Sequence, residues 1–161
     1  MDLTYIAITL IGALKLRNIS QSIFIEWINA RNCKGYTALH LSSFRGNIEI
    51  ICALIDVGAN YLLVNDNGLG VLHLAIQGDQ PAAILYFYYK YKMDLNVLDT
   101  AKSTLLHWAC YSGAENAFNY LLALYDKETN TSVFNSQDHE GITPLHLAVL
   151  SGKHYFQIRK I

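Results

Sequence analysis

Six histidines and three cysteines are the residues of this chain best suited to metal or acid–base chemistry, and four of the histidines share one context. His40, His73, His107 and His146 each follow a leucine, and they lie 33, 34 and 39 residues apart. A zinc site would bring their ring nitrogens to within about 2.0–2.1 Å of one ion. A period near 33 does the opposite, placing one histidine in each layer of a stacked repeat array. His107 and Cys110 form an i, i+3 pair on one helix, but no second ligand pair completes a zinc site. Cys33, Cys52 and Cys110 are odd in number and show neither disulfide nor zinc spacing, which points to a reducing compartment. The chain has no glycine-rich phosphate loop and no Gly-x-Ser-x-Gly elbow. The expectation is a chain without catalytic residues, cofactor or metal.

The elements that carry the histidines follow from their neighbours. Asn32-Cys33-Lys34-Gly35-Tyr36-Thr37-Ala38-Leu39-His40-Leu41 returns as Asp138-His139-Glu140-Gly141-Ile142-Thr143-Pro144-Leu145-His146-Leu147. The threonine hydroxyl can accept from free N–H groups at a helix start. Pro144 then takes the first helical position, where its missing N–H costs nothing. Gly46, Gly113 and Gly152 stand six residues after a histidine, where a helix can end through a left-handed residue. Ile50, Ile51, Leu54 and Ile55 form the apolar stripe of a second helix. These residues predict an all-α stack of helix-turn-helix units.

Over about residues 29–161 the pattern resembles the ankyrin repeat, with its turn glycine, its Thr-Pro-Leu-His helix opening and its glycine before a second helix. Repeat one also carries that family's ending, Leu54-Ile55-Asp56-Val57-Gly58-Ala59-Asn60. The resemblance implies a solenoid with β-hairpin or loop tips and repeats at about 29–61, 62–95, 96–134 and 135–161, the last cut short, behind a divergent capping repeat at 1–28. It also implies that each histidine ties a threonine to neighbouring backbone. Thr37, His40, His73, Thr104, His107, Thr143, Pro144 and His146 are then structural residues, because a buried polar group must find a partner.

Two repeats depart from the pattern. In repeat two, Gly70 and Val71 replace Thr-Pro, so the hydroxyl cap is lost. Asp79 occupies the inter-helix glycine position, with Gly78 beside it as the expected substitute, and Pro81 opens the second helix. The aromatic run from Tyr86 to Tyr91 reads as core plus amphipathic rim rather than as a ligand stripe. Repeat three has Lys102 at the turn glycine and Leu105 for proline. About residues 126–133 are extra between repeats three and four, and 126–132 among them read as a polar surface loop. Asn130-Thr131-Ser132 and Asn18-Ile19-Ser20 match the glycosylation acceptor pattern by accident in a chain without a secretory signal.

The 161 residues suit one domain, and an apolar fraction of 52% supplies a continuous core. With 12 basic and 13 acidic residues the net charge is −1, which gives no argument for nucleic acid. The apolar stretch 3–14 is shorter than the roughly 20 residues that span a bilayer, and Asp2 stands where a signal peptide has a basic segment. It reads as a cap, with a first helix over about 3–15 and a second over about 20–28; a signal or membrane anchor is the alternative. At the other end, Leu147, Val149, Phe156, Ile158 and Ile161 leave an apolar final unit, although a terminal repeat wants a polar face. The chain therefore reads as a fragment of a longer array.

By the ankyrin resemblance, partners meet the tips and the exposed faces of the first helices, on a concave strip. The tip candidates are Lys34, Tyr36, Asn67, Leu69, Ala101, Ser103, His139, Glu140 and Ile142. The helix candidates are Phe44, Arg45, Gln77, Tyr111, Ser112 and Leu150. Tyr36, Phe44, Arg45 and Tyr111 lead, since aromatic residues and arginine dominate interface hot spots. The expected function is a protein- or peptide-binding module, cytoplasmic, with no nucleic acid partner and no membrane contact of its own. Residues 105–117 and 137–149 also resemble the repeats that precede the membrane domain of ankyrin-type protein S-acyltransferases. That resemblance implies a substrate-recruiting region on the cytosolic face of a membrane. The Asp-His-His-Cys motif of those enzymes does not occur here: His139 follows Asp138, but Glu140 comes next.

Overall fold

The computed structural model describes residues 3–16, 20–127 and 132–151. Its helices are α1 (Leu3–Leu16), α2 (Gln21–Ile28), α3 (Ala38–Arg45), α4 (Ile48–Asp56), α5 (Val71–Gln77), α6 (Pro81–Tyr91), α7 (Leu105–Ser112), α8 (Glu115–Lys127) and α9 (Pro144–Leu150). A 3-10 turn covers Ser132–Asn135. No strand occurs among the described residues.

Thr37, Thr104 and Thr143 stand at the N-caps of α3, α7 and α9, each with an extended backbone. Each hydroxyl accepts from the N–H of the histidine three residues on, at 3.4 Å. Each histidine Nδ1 accepts the threonine's own N–H at 3.1 Å. The exchange satisfies two helix-start donors that would otherwise be bare. Gly46 and Gly113 end α3 and α7 in the left-handed region, with φ of 67° and 63°.

Repeat two solves both problems differently. Gly70 caps α5 without a hydroxyl, and only its N–H reaches His73 Nδ1, at 3.3 Å. The expectation that Gly78 replaces the missing inter-helix glycine is corrected. Gly78 is right-handed with φ −84°, and Asp79 itself turns left-handed with φ 54°. Glycine at 78 answers to packing instead, because a Cβ there would overlap the Phe44 carbonyl of the repeat before. The Asp79 carboxylate in turn caps α8. It accepts from the Ala117 N–H at 2.7 Å and from Asn116 Nδ2 at 2.8 Å, an anion placed at the positive end of a helix.

The first helices α3, α5, α7 and α9 pack in one row, and α4, α6 and α8 form a second row behind it. The leucine before each of the first three repeat histidines fills the seam: Leu39, Leu72 and Leu106 are buried, as are Ala75 and Ala109 one turn on. Leu145, Val149 and Leu150 of α9 are exposed. The aromatic run of α6 divides as its amphipathic character requires. Ile84 and Phe87 are in the core, Tyr86, Tyr88 and Tyr91 are half-buried, and Tyr89 is exposed. Lys90 Nζ and Cys52 Sγ both donate to the Tyr86 hydroxyl, at 3.0 and 3.1 Å.

Helices form at 3–16 and 21–28 where a cap was expected, but α1 does not stack as a first helix does in the repeats. It lies chiefly against α4, with Asn47 Nδ2 donating to Thr4 Oγ1 at 3.0 Å. Ile11 and Ile28 join the core, while Tyr5, Ile6, Leu10, Ile23 and Trp27 stay exposed. Of the stretch expected as a loop at 126–132, Asp126 and Lys127 instead continue α8 and Ser132 opens the 3-10 turn, next to the buried Val133. Residues 128–131, most of both Asn-x-Ser/Thr patterns, and the apolar end from Gly152 to Ile161 lie outside the described residues. No helix among the described residues is long and apolar enough to cross a membrane.

Candidate partner-binding surface

The tips are built on four residues that sequence reasoning had not singled out. Asn32, Asn65, Asp99 and Asp138 each stand eight residues before a repeat histidine. The Oδ1 of each accepts from the N–H groups two and four residues on, at 2.7–3.0 Å. Its own N–H donates to the carbonyl four residues on. The third residue after it turns left-handed: Gly35, Gly68, Lys102 and Gly141 have φ of 78°, 77°, 60° and 75°. Lys102 thus adopts the glycine conformation without being glycine. The constant offset from the histidine was the available signal, since Asn and Asp carboxamide or carboxylate oxygens mimic a backbone turn.

Successive tips are joined. The N–H of Asp66 donates to the Lys34 carbonyl at 3.5 Å, that of Thr100 to Asn67 at 3.0 Å, and that of His139 to Ala101 at 2.9 Å. Arg31 adds a clip between tips one and two, donating to the Val64 carbonyl at 3.0 Å and to Asp66 Oδ1 at 3.1 Å. Both ends of that ion pair are exposed, so it contributes little to stability. Trp108 Nε1 donates to Asp99 Oδ2 at 2.9 Å, fixing tip three to α7, and Tyr111 packs edge-on against Trp108 with ring centroids 5.7 Å apart.

The histidines sit beneath this row. The threonine N–H groups make Nδ1 an acceptor, so Nε2 carries the proton. His40 Nε2 donates to the Leu63 carbonyl at 3.0 Å, and His107 Nε2 donates to the Ile142 carbonyl at 2.9 Å. With both nitrogens committed, neither ring has a lone pair for a metal. Burial holds His40 below its ordinary pKa, although the carbonyls of Leu63 and Leu69 favour its charged form; Arg31 adds to the lowering. Burial pushes the Cys110 thiol up to about 12. No group of His, Cys, Asp and Glu able to hold a metal occurs among the described residues. His73 differs from its counterparts: its Nε2 is buried with no partner. Burial lowers it to about 4, against a smaller opposing effect of Asp99.

Of the partner-binding candidates, Lys34, Arg45, Asn67, Ala101, Tyr111, His139, Glu140 and Leu150 are exposed. Tyr36, Phe44, Gln77, Ser103, Ser112 and Ile142 are partly buried. Leu69 is a correction: at 2% exposure it lies under the tip, held by its N–H to Asn65 Oδ1, and offers a partner nothing. Tyr36, Ser103 and Ile142 follow the same left-handed turn and are only partly buried, so the packing around repeat two, and not the turn itself, sets the depth of Leu69.

Residues 10–99 and 72–158 match the family described as ankyrin repeats in three copies. The chain belongs to the ankyrin-repeat family. It is 26% identical to inversin of Canis lupus familiaris over 78% of this chain and 15% of that protein. It is 29% identical to palmitoyltransferase AKR1 of Lachancea kluyveri over 73% of this chain and 16% of that one. It is 37% identical to the Notch-regulated ankyrin repeat-containing protein of Xenopus tropicalis, over 40% of this chain and 57% of that one. The chain thus spans about a sixth of the length of inversin and the palmitoyltransferase. Ankyrin repeats imply a protein-interaction module, and an ankyrin region is ordinarily not catalytic.

Proposed function

We propose that this ankyrin array binds a protein or peptide along the hydrogen-bonded row of tips and the adjoining faces of α3, α5 and α7. The supporting observation is the alignment of the tips. Their backbones are joined from one repeat to the next, so side chains at Lys34, Asn67 and His139 are presented on a preorganised strip that loses little entropy on binding. Tyr36, Phe44, Arg45 and Tyr111 supply the aromatic and guanidinium anchors beside it. No nucleic acid partner is proposed at a net charge of −1. The reading is tested by selecting binding peptides on the wild-type chain and measuring them against Phe44→Ala/Arg45→Ala/Tyr111→Ala. A loss of at least about tenfold in affinity is expected, since hot-spot truncations cost more than about 1 kcal/mol each. Binding unchanged in the triple variant excludes this face.

The likeness to palmitoyltransferase AKR1 favours a more specific version. In it the array is the substrate-recruiting part of a larger membrane S-acyltransferase, on the cytosolic side, and has no chemistry of its own. Grafted in place of the ankyrin region of such an enzyme, the array would support acylation of a substrate, and the triple variant would not. Acylation that is indifferent to the graft rejects this version and leaves the binding module standing.

A further inference from the structure

In repeats one and three a charged histidine finds an acceptor for both of its N–H groups. The Thr37 hydroxyl lies 2.9 Å from His40 Nδ1, and the Leu63 carbonyl lies 3.0 Å from Nε2. The Thr104 hydroxyl lies 2.8 Å from His107 Nδ1, and the Ile142 carbonyl lies 2.9 Å from Nε2. A hydroxyl accepts as well as donates, so either ring can take up a proton where it stands. His73 has neither acceptor. Gly70 brings no hydroxyl, and its N–H already points at Nδ1 from 3.3 Å. Nε2 is buried without a partner. A proton on Nδ1 sets two donors against each other and leaves a buried cation unpaired, which a protein avoids by moving the group.

α5 packs against α3, α6, α7 and α8. On those helices His40 and His107 are committed to their own partners, and Cys110 is a neutral thiol. The Tyr86 hydroxyl faces Cys52 and Lys90, and the Tyr125 hydroxyl donates to the Leu95 carbonyl. Arg45, Lys90, Glu115 and Asp126 are exposed. Asp99, in tip three, is the one charge that acts on His73, and it favours the charged ring. Its carboxylate is already engaged by Trp108 Nε1 and by the N–H groups of Ala101 and Ser103. Gly68, Gly70 and Val71 border a cleft of about 210 Å³, which leaves the chain before α5 room to move.

We propose that His73 is an acid-sensitive latch: a proton on its ring releases Gly70 and frees the base of tip two from the first turn of α5, while the histidines of repeats one and three are protonated in place. The latch belongs to the array itself and does not rest on the partner-binding reading.

The test is amide hydrogen exchange on the full chain from pH 7.5 to 5, corrected for the intrinsic rate at each pH. The Leu74 N–H bonds to the Gly70 carbonyl, and the N–H groups of Leu41 and Trp108 make the same bond to Thr37 and Thr104. Opening at Leu74 is expected to rise about tenfold per pH unit below 6.5, the slope of one proton taken up on opening. Leu41 and Trp108 are expected to stay flat. His73→Gln should abolish the rise. Gly70→Thr supplies the missing acceptor and should reduce the rise at pH 5 about tenfold, the difference one hydrogen bond makes. Gly70→Val, of the same shape without the hydroxyl, should leave it as in wild type, which keeps the test open if His73→Gln fails to fold. Equal rises at Leu41, Leu74 and Trp108, a rise that persists in His73→Gln, or identical behaviour of Gly70→Thr and Gly70→Val would each overturn the proposal.

Discussion

Repeat two and its neighbours hold the same histidine by the same N–H bond to Nδ1 and differ in the rest of its support. Repeats one and three use a threonine cap, a left-handed glycine at the helix end and a carbonyl for Nε2. Repeat two has a bare glycine cap, a left-handed aspartate and an Nε2 without a partner. It nevertheless forms α5 with six buried residues in a row, Val71 to Ile76. The comparison shows that stacking between layers, rather than the local motif, holds the worn repeat in register. That follows from repeat energetics, in which a unit is stabilised largely by its neighbours' interfaces.

The largest expected effect attacks that stacking. Gly78→Ala puts a Cβ into the Phe44 carbonyl, a backbone atom that can yield only if α3 and α5 move apart. Overpacking of this kind should cost about 3 kcal/mol. Gly46→Ala in repeat one meets only the Gln80 side-chain end, which can swing away, so it should lose less despite its left-handed backbone. Urea melts of the two variants decide the matter; a larger loss for Gly46→Ala would contradict the stacking argument.

Acid comes next. Burial holds the folded-state pKa of His73 near 4, below its ordinary 6.5. The folded protein therefore binds fewer protons than the unfolded chain. This contribution is fully present above pH 6.5 and is lost as pH falls toward 4, up to about 3 kcal/mol. His40 adds in the same direction. Stability measured from pH 7.5 down to 4 should fall more steeply in wild type than in His73→Gln. Parallel curves would mean that His73 is not the buried neutral ring described.

How far this contrast could be read beforehand depends on whether a residue acts locally. The Thr-to-His exchange and the glycine helix ends follow from two or three adjacent residues, and the two-row stack follows from their spacing. The loss of the cap at Gly70 was legible for the same reason. Asp79 was not: a local rule hands the bend to Gly78, whereas Gly78 is fixed by contact with Phe44, 34 residues earlier, and Asp79 by its grip on α8. Leu69 carried a tip position by phase, but it is buried where Tyr36, Ser103 and Ile142 in the same phase are only partly so. The packing of α1 on α4 had no repeat to be read from. The candidate surface was thus legible in its order along the chain, and the depth of each side chain was not.

A smaller change should repair repeat two. Gly70 has an ordinary extended backbone with φ −96°, and a Cβ there meets only the Leu63 carbonyl and Val64 at 3.7 Å. Gly70→Thr would restore the hydroxyl acceptor for the His73 N–H, as in repeats one and three. The cap and the reduced freedom of the unfolded chain together favour a gain of about 1 kcal/mol. A thermal melt checks it. No gain would show that the worn repeat has settled into a geometry that no longer accepts its neighbours' cap.

The smallest effect separates two left-handed residues that look alike. Lys102 with φ 60° and Asp79 with φ 54° both occupy a conformation that costs an L side chain about 1 kcal/mol relative to glycine. At Lys102 the turn is held by Asp99, whose Oδ1 accepts from the N–H groups of Ala101 and Ser103. Those bonds survive any side chain at 102. Lys102→Gly should therefore stabilise by about 0.5–1 kcal/mol, part of the relief being returned as glycine's unfolded-state entropy. Asp79→Gly relieves the same strain but removes the acceptor for the Ala117 N–H and Asn116 Nδ2. Losing a helix-start acceptor costs about 0.5–2 kcal/mol, so this variant should be neutral or destabilised. Equal gains at both positions would show that the Asp79 carboxylate contributes nothing to α8, and that the bend in repeat two is merely a poorer version of the one in repeats one and three.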